Sequence, residues 1–163
     1  MTTGIERLHF MVGDWDIQAY TLDTNGEWVD SPLPKQTRIE ARFDGAFLQE
    51  QEVLMKAGEA TVRFFIMWSY DVFRQTYRML ACDDHDGLMD VLEGDFIAGT
   101  DTIVVSNLMT GTSMLDEGGQ PVYLRLTSTK TGPDGFTDEM QESVDGGKSW
   151  LSVYRAVHTR QQP

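Results

Sequence analysis

Cysteine is almost absent from this chain, and its scarcity excludes a disulfide-stapled fold. Cys82 is the only cysteine among 163 residues, so no disulfide can form within the chain. A chain of this length does not need one, because it buries roughly two thirds of the surface that it would expose when unfolded. We therefore predict a single domain over residues 1–163 in a reducing, cytoplasmic compartment.

Basic residues are also scarce. Lysine and arginine number 13 against 26 aspartate and glutamate residues, which gives a formal net charge of −13. This charge repels phosphate backbones and anionic lipid head groups, so we expect neither nucleic acid nor a membrane surface as a partner. No apolar run approaches the length that spans a bilayer, and residues 1–7 lack the basic and apolar run of a signal peptide. These absences favour a soluble protein with an acidic surface.

Sequence motifs of common enzymes and metal sites are absent as well. The chain has no Gly-x-Ser-x-Gly elbow, phosphate-binding glycine loop, His-Glu-x-x-His or dinucleotide fingerprint. Its three histidines, His9, His85 and His158, are too few for an ordinary zinc site, and residues 83–86 lack the ligand spacing of a calcium loop. We therefore expect no metal and no cofactor, assign no catalytic residue, and interpret residues 83–86 as an acidic turn. Cys82 has no adjoining basic residue and is expected to be a buried, inert thiol.

Residues 10–17 join a short helical pattern to the first strand. Gly13 stands where a helix would end, and Trp15 begins a stretch of alternating residues. The pattern predicts a short helix over residues 3–12 that serves as a lid or plug. Its apolar residues at helical spacing are Ile5, Leu8, Met11 and Val12.

From Trp15 onward the sequence consists of short alternating segments separated by polar turns. Such connections are too short for the crossover helices of a parallel sheet. The pattern therefore predicts an all-β fold, a single antiparallel up-and-down β-barrel of about ten strands with a short N-terminal helix, since closing the sheet also removes exposed edges. The predicted strands are 15–20, 37–43, 47–55, 60–70, 74–82, 88–96, 102–109, 122–130, 136–144 and 150–159.

One recognisable motif lies in the last turn. Residues 143–150 match the Asp-box pattern Ser-x-Asp-x-Gly-x-Ser/Thr-Trp, which repeats in sialidase-type propellers but occurs once here. A single copy on a chain of this length cannot build a propeller. We interpret it as a structural turn in which Asp145 accepts backbone N–H groups, glycines adopt positive φ and Trp150 packs beneath the hairpin.

Polar residues that point into the barrel carry the functional prediction. Tyr123 and Arg125 lie two apart and share one strand face, and Tyr154 and His158 lie on the last strand. An arginine in an apolar cavity needs an anion, which a ligand carboxylate would supply. Alternatively, Arg125 and Arg63 point outward and pair with surface acids. The candidate ligand-binding residues are Arg63, Phe65, Met67, Tyr77, Met79, Tyr123, Arg125, Tyr154 and His158.

Five features of the sequence are informative together: Gly13-Asp14-Trp15, Ser69-Tyr70-Asp71, Gly94, the Asp box and Thr159-Arg160. With them the chain resembles a bacterial calycin-like family of unknown function, similar to the lipocalin and fatty-acid-binding-protein barrels. The resemblance covers nearly the whole chain and implies that Trp15 plugs one end of the barrel, with Arg160 or Arg155 packed over it. The related nitrobindin barrels bind haem through a late histidine, which His158 would match, although residues 13–18 depart from the nitrobindin Gly-x-Trp-x-Gly-x-Gly.

These patterns favour a carrier or sensor that binds a small apolar molecule, with or without an anionic head, in the barrel cavity. One alternative is a cyclase, isomerase or hydratase that uses the same cavity, which would need a tyrosine or histidine with a displaced pKa inside it. A second is a haem-binding barrel with His158 as the iron ligand. A third is an interaction barrel with a filled interior. In each case the chain acts either alone or as a homodimer.

Overall fold

The computed structural model describes residues 4–163, apart from the side chain of Glu52. The chain begins with a 3₁₀ helix, Gly4–Met11, which buries Ile5, Leu8 and Met11. Gly13 follows at a φ of 144°, where the chain turns into the first strand. The predicted short helix is therefore present; Thr3, its first predicted residue, lies outside the described residues.

Within this range the helix is followed by twelve strands, most of them within two residues of their predicted bounds. They are β1 Gly13–Leu22, β2 Trp28–Ser31, β3 Gln36–Arg42, β4 Phe47–Ala57, β5 Ala60–Asp71, β6 Thr76–Asp83, β7 Met89–Phe96, β8 Thr102–Ser106, β9 Met114–Leu115, β10 Pro121–Gly132, β11 Gly135–Ser143 and β12 Leu151–Arg160.

Ten of these strands close into an antiparallel barrel, which confirms the predicted fold class. The order around the barrel is β1-β3-β4-β5-β6-β7-β8-β10-β11-β12, and pairing of β12 with β1 completes the ring. The short strands β2 and β9 pair outside the ring with β1 and β10. Sequence patterns missed both of them. β2 forms because β1 runs on to Leu22 and offers it a partner.

A bulge in β4 determines which of its side chains face inward. Glu50 pairs with Ile66 of β5, but the next paired residue, Val53, lies opposite Phe64. Two residues of β4 thus lie opposite the single residue Phe65 of β5, so β4 carries one extra residue and the alternation of faces restarts. Glu50, Val53 and Met55 consequently all line the barrel interior.

Trp15 closes one end of the interior. Its side chain is fully buried, with its ring edge-on to Phe136 at 4.9 Å between centroids. Its Nε1 donates a hydrogen bond to the Met11 carbonyl at 2.8 Å. The Arg160 guanidinium lies 4.3 Å from the Trp15 ring and donates to the Val12 carbonyl at 2.9 Å. Of the two arginines that the resemblance offered, Arg160 therefore packs over the plug, while Arg155 lies over Trp28 on the outside.

In residues 4–163, none of the helices has the length and apolar character to cross a membrane.

Gly94 allows β7 and β8 to pack closely, which gives a test of the barrel. A Cβ atom at Gly94 would lie far inside van der Waals contact of the Val104 carbonyl oxygen, whereas one at Gly132 would meet open space. We expect Gly94→Ala to lower the free energy of unfolding by about 2 kcal/mol or more, because backbone cannot move aside as a flexible side chain can. Gly132→Ala should change it by less than about 0.5 kcal/mol. Urea denaturation measures both, and equal effects would contradict the close packing of β7 on β8.

Candidate functional site

The barrel encloses a cavity of about 120 Å³ above the Trp15 plug. Most of its wall is apolar. The apolar residues include Met55, Met79, Met140 and Trp68. Five polar side chains complete it, and we call them the polar wall. They are Glu50, Ser128, Asp138, Tyr154 and His158.

Strand register brings four of these five together. On β10, β11 and β12, alternate residues point inward, and inward-facing residues on neighbouring strands lie side by side. Ser128 pairs with Asp138 across β10 and β11. Asp138 is followed two residues on by Met140, which pairs with Tyr154 of β12. His158 lies four residues after Tyr154 on the same face of β12. Glu50 reaches the same cavity from β4.

Asp138 lies in an apolar environment with one strong hydrogen bond. The Ser128 hydroxyl donates to its Oδ1 at 2.5 Å, and the His158 Nε2 lies 3.8 Å from its Oδ2. Burial raises the pKa of Asp138 above its usual value, and the nearby His158 and the Ser128 hydrogen bond only partly oppose this. The carboxyl is therefore easier to protonate than one at the surface.

Burial also displaces the pKa of the Glu50 carboxyl. Burial raises its pKa to about 7, the Thr37 hydroxyl on β3 opposes the rise, and the charge of Asp138 adds to it. Thr37 faces this carboxyl without completing a hydrogen bond of ordinary geometry. Glu50 keeps an intermediate accessible surface because it lines the cavity. It is thus about half protonated near neutral pH.

The other two titratable groups of the polar wall are displaced by the same cause. Burial raises the pKa of Tyr154, and the carboxyls of Asp138 and Glu50 add to the rise. Burial lowers the pKa of His158, against the opposing pull of Asp138 and of the Phe136 backbone. The His158 ring is stacked on Phe136 at 4.0 Å, and its buried Nδ1 has no hydrogen-bond partner. The polar wall is therefore a set of mostly neutral groups that can donate and accept hydrogen bonds.

Three of the nine sequence-predicted residues line this cavity: Met79, Tyr154 and His158. Tyr77 is buried nearby but serves the core. Its ring packs against Tyr70 and Phe96, and its hydroxyl donates to the Gly4 carbonyl at 2.6 Å, which ties β6 to the N-terminal helix.

All three predicted residues on β5 lie on its outer face. Arg63 and Phe65 line a surface groove with Cys82, and the Arg63 Nε lies 3.7 Å from the Asp84 carboxylate. Met67 follows Phe65 on the same face by alternation. Cys82 is partly exposed, so the expectation of a buried thiol is corrected.

Tyr123 and Arg125 also face away from the cavity, which corrects the prediction that an arginine orients the ligand. The Arg125 Nε donates to the Gln141 Oε1 at 2.9 Å, and its guanidinium lies 4.3 Å from the Trp150 ring. The inward positions of β10 are instead those of Leu126 and Ser128. Arg125 therefore points outward, as the alternative interpretation had it, but its contacts are with an amide and an aromatic ring rather than with surface acids.

Sequence reasoning missed Glu50, Ser128 and Asp138. The signal for Asp138 is its position between Phe136 and Met140, since one carboxylate among apolar residues at period two is typical of a buried polar site. The signal for Glu50 was hidden by the bulge, which breaks the alternation that identifies inward residues.

The Asp-box turn has the structural role that its sequence indicates. The Asp145 carboxylate accepts hydrogen bonds from the Ser149 hydroxyl and N–H and from the Ser143 hydroxyl, and these hold its pKa down at about 2. Gly147 adopts a φ of 84°, and the Trp150 Nε1 donates to its carbonyl at 3.1 Å.

Residues 83–86 form a turn in which the Asp83 carboxylate accepts the backbone N–H groups of His85, Asp86 and Gly87. In the part of the chain that the structure describes, no three or more histidine, cysteine, aspartate or glutamate residues are grouped so as to hold a metal ion.

No family model matches the chain, and no curated protein matches it. Among solved structures, the chain is similar to the crystal structure of Rv2717c from M. tuberculosis, with a TM-score of 0.69 over 99% of both chains and 15% sequence identity. A likeness at this identity shows the fold alone. The structure of EF1p2_mFAP2b bound to DFHBI aligns with 98% of this chain and 100% of its own, at a TM-score of 0.36 and 10% identity, which is too weak to support an argument.

The raised pKa of Glu50 predicts a pH-dependent stability. Between its ordinary value of 4.5 and about 7, the folded protein keeps a proton that the unfolded chain has released. The proton on Glu50 stabilises the folded protein fully below pH 4.5, and this stabilisation is lost as the pH rises through 7. Glu50→Gln, which cannot ionise, should therefore gain about 2–3 kcal/mol in unfolding free energy relative to wild type between pH 4.5 and pH 8. Urea denaturation at the two pH values measures the gain, and a difference that does not change with pH would contradict a neutral buried Glu50.

Proposed function

We propose that the barrel binds a small, largely apolar molecule in its cavity, and that the polar group of this molecule is neutral or basic. The observation that carries the proposal is the composition of the cavity wall. Five groups able to hydrogen-bond converge on an otherwise apolar interior, an arrangement typical of small-molecule sites. Among the described cavity-lining residues there is no lysine or arginine.

The same composition argues against an anionic head. A ligand carboxylate would lie beside the carboxyls of Glu50 and Asp138. Its negative charge would repel either of these groups whenever that group is ionised. A hydroxyl, an amide or an amine could instead donate to these carboxyls. We therefore propose that the polar group of the ligand is a hydrogen-bond donor and not the anionic head that Arg125 had suggested.

Cavity size limits the ligand further. An apolar cavity of about 150 Å³ in a protein can hold benzene. At about 120 Å³ the cavity accommodates a compact molecule. A ligand of about five non-hydrogen atoms matches that volume.

A haem does not fit this arrangement. The porphyrin is far larger than a benzene-sized cavity, and the His158 ring is stacked on Phe136 with its Nε2 facing Asp138 at 3.8 Å. His158 therefore belongs to the polar wall, and its ring is not positioned as an iron ligand.

The proposal includes membership in the calycin-like group that the sequence resembles, and a cytoplasmic location. The Trp15 and Arg160 contact supports the first, because it has the form that the resemblance implied. The single cysteine supports the second, since secreted domains commonly use disulfides.

Binding can be followed at methionine methyl groups by NMR. n-Butanol should shift the resonances of the cavity residues Met55, Met79 and Met140 in a saturable way. It should leave Met109, which is 84% exposed, in place. Saturable shifts are expected because the probe enters a preformed apolar cavity.

A matched pair of variants locates the site. Val53→Phe places an aromatic ring in the cavity and should weaken n-butanol binding by about tenfold or more. Leu54→Phe, one residue on and facing outward, should leave binding unchanged. Equal affinity in both variants, or uniform shifts at buried and exposed methionines, would count against a ligand in the cavity.

A second candidate function, an acid–base enzyme, is favoured by the displaced pKa values of Glu50, Tyr154 and His158 in one cavity. The ionised Glu50 would remove a proton from a carbon beside a carbonyl, with the Tyr154 hydroxyl donating to the enolate oxygen, and would then return a proton to that carbon. Butanone in D₂O would then exchange its α-hydrogens about 100-fold faster than in buffer alone, and Glu50→Gln would abolish the gain. Exchange at the buffer rate would leave the carrier as the only candidate of the two.

A further inference from the structure

The cavity holds two carboxyl groups without a permanent cation. Glu50 and Asp138 enter it from β4 and β11, and burial raises the pKa of each. Ser128 donates one hydrogen bond to Asp138, and Glu50 faces a Thr37 hydroxyl that completes none. An ionised carboxyl is costly to bury unless a cation or several hydrogen-bond donors accompany it, so an occupant that supplies donors and positive charge would be strongly favoured.

His158 provides an independent sign that this wall is built for an occupant. Its side chain is only 5% exposed and lines the cavity, and its Nδ1 has no hydrogen-bond partner. Buried polar atoms are nearly always paired, with protein or with a bound molecule. The cavity wall therefore combines carboxyl acceptors with a buried histidine whose Nδ1 completes no hydrogen bond of ordinary geometry.

We propose that the occupant is a small alkyl amine whose ammonium group lies against the Glu50 carboxylate, with Asp138 and the aromatic rings of Trp68 and Tyr154 around it. This inference rests on the proposed binding function and names the chemical class of its ligand. The ammonium supplies both hydrogen-bond donors and the missing charge, and aromatic faces attract cations. The apolar methionine side of the cavity takes the alkyl chain.

A metal cation fits this cavity less well than an amine. A protein site for a divalent cation assembles several hard oxygen or imidazole ligands around one point. Within residues 4–163, no three such side chains are grouped in that way. The cavity wall instead combines two carboxyls with a predominantly apolar lining, which suits a cation that carries a hydrocarbon chain.

Binding of an amine must be linked to a proton. An alkylammonium has a pKa near that of lysine, about 10.4, and stays charged across the neutral range. Glu50 is mostly protonated below pH 7, so it loses one proton to solvent when it pairs with the ammonium. Above pH 7 it is already ionised and releases none. Affinity should therefore rise with pH up to about 7 and then level off.

The other groups that face Glu50 act in known directions. Asp138 on β11 also has a raised pKa and adds to the pH dependence in the same sense. Tyr154 on β12 stays neutral because its pKa is raised, and His158 on β12 stays neutral because its pKa is lowered. The strands beside β4 present only Thr37, Ile39, Ile66 and Trp68, which do not titrate.

The test is calorimetric titration of the wild-type protein with n-butylamine, n-butanol and butyrate at pH 5.5 and pH 8.5. Between these two values the affinity for n-butylamine should rise about 30-fold, since each pH unit below the pKa costs tenfold. Titrations at pH 5.5 in two buffers of different ionisation enthalpy should show close to one proton released per amine bound. n-Butanol should bind with little pH dependence, and butyrate should bind more weakly than either.

Two variants tie the effect to Glu50. Glu50→Gln should remove most of the pH dependence, leaving the part that is due to Asp138, and should weaken n-butylamine by about tenfold or more at pH 8.5. Glu59→Gln, in the exposed β4–β5 turn, should behave as wild type. If n-butanol binds and n-butylamine binds no better at pH 8.5, the amine inference fails and the proposed function stands. If no probe binds, the proposed function fails with it.

Discussion

The contact between Arg160 and Trp15 is the interaction on which the interior of this barrel depends. Arg160 ends the last strand, and its guanidinium both covers the Trp15 ring and donates to the carbonyls of Phe10 and Val12 at the end of the N-terminal helix. It therefore joins the two ends of the chain at the point where β1 and β12 close the ring. Phe136, packed edge-on against Trp15, forms the floor of the cavity above. Because this end is sealed, the groups above the floor lie in a poorly solvated interior.

That interior gives identical side chains opposite properties. Asp145, in a surface turn, accepts hydrogen bonds from hydroxyls and an N–H group, which lower its pKa to about 2. Asp138, in the cavity, has its pKa raised by burial. The net charge of −13 thus mainly reflects the hydrated exterior. The carboxyls of the cavity are easily protonated and can accept hydrogen bonds from a ligand. This difference is why an acidic protein offers an amine or a neutral donor a specific place inside it.

Alternation of residues was enough to predict the barrel, because a period of two and short polar turns leave few other architectures for the chain. It was not enough to predict the site. A period of two says that Tyr123 and Arg125 share a face, but both faces of β10 are partly apolar, so it does not say which one is inside. The outward orientation of Arg125 depends on its contacts with Gln141 and Trp150, which lie much later in the chain. Glu50 was hidden by a bulge whose position depends on the pairing with β5.

The protonation state of Glu50 is the central claim of this account, and carbon NMR of its side-chain carboxyl measures it most directly. With uniformly ¹³C-labelled protein, the Glu50 signal is identified by its loss in Glu50→Gln. Its chemical shift should titrate with a midpoint of about 7 in the ligand-free protein. A midpoint at the ordinary value of 4.5 would mean that the carboxyl is hydrated and ionised, and would contradict a dry cavity that selects its ligand by charge.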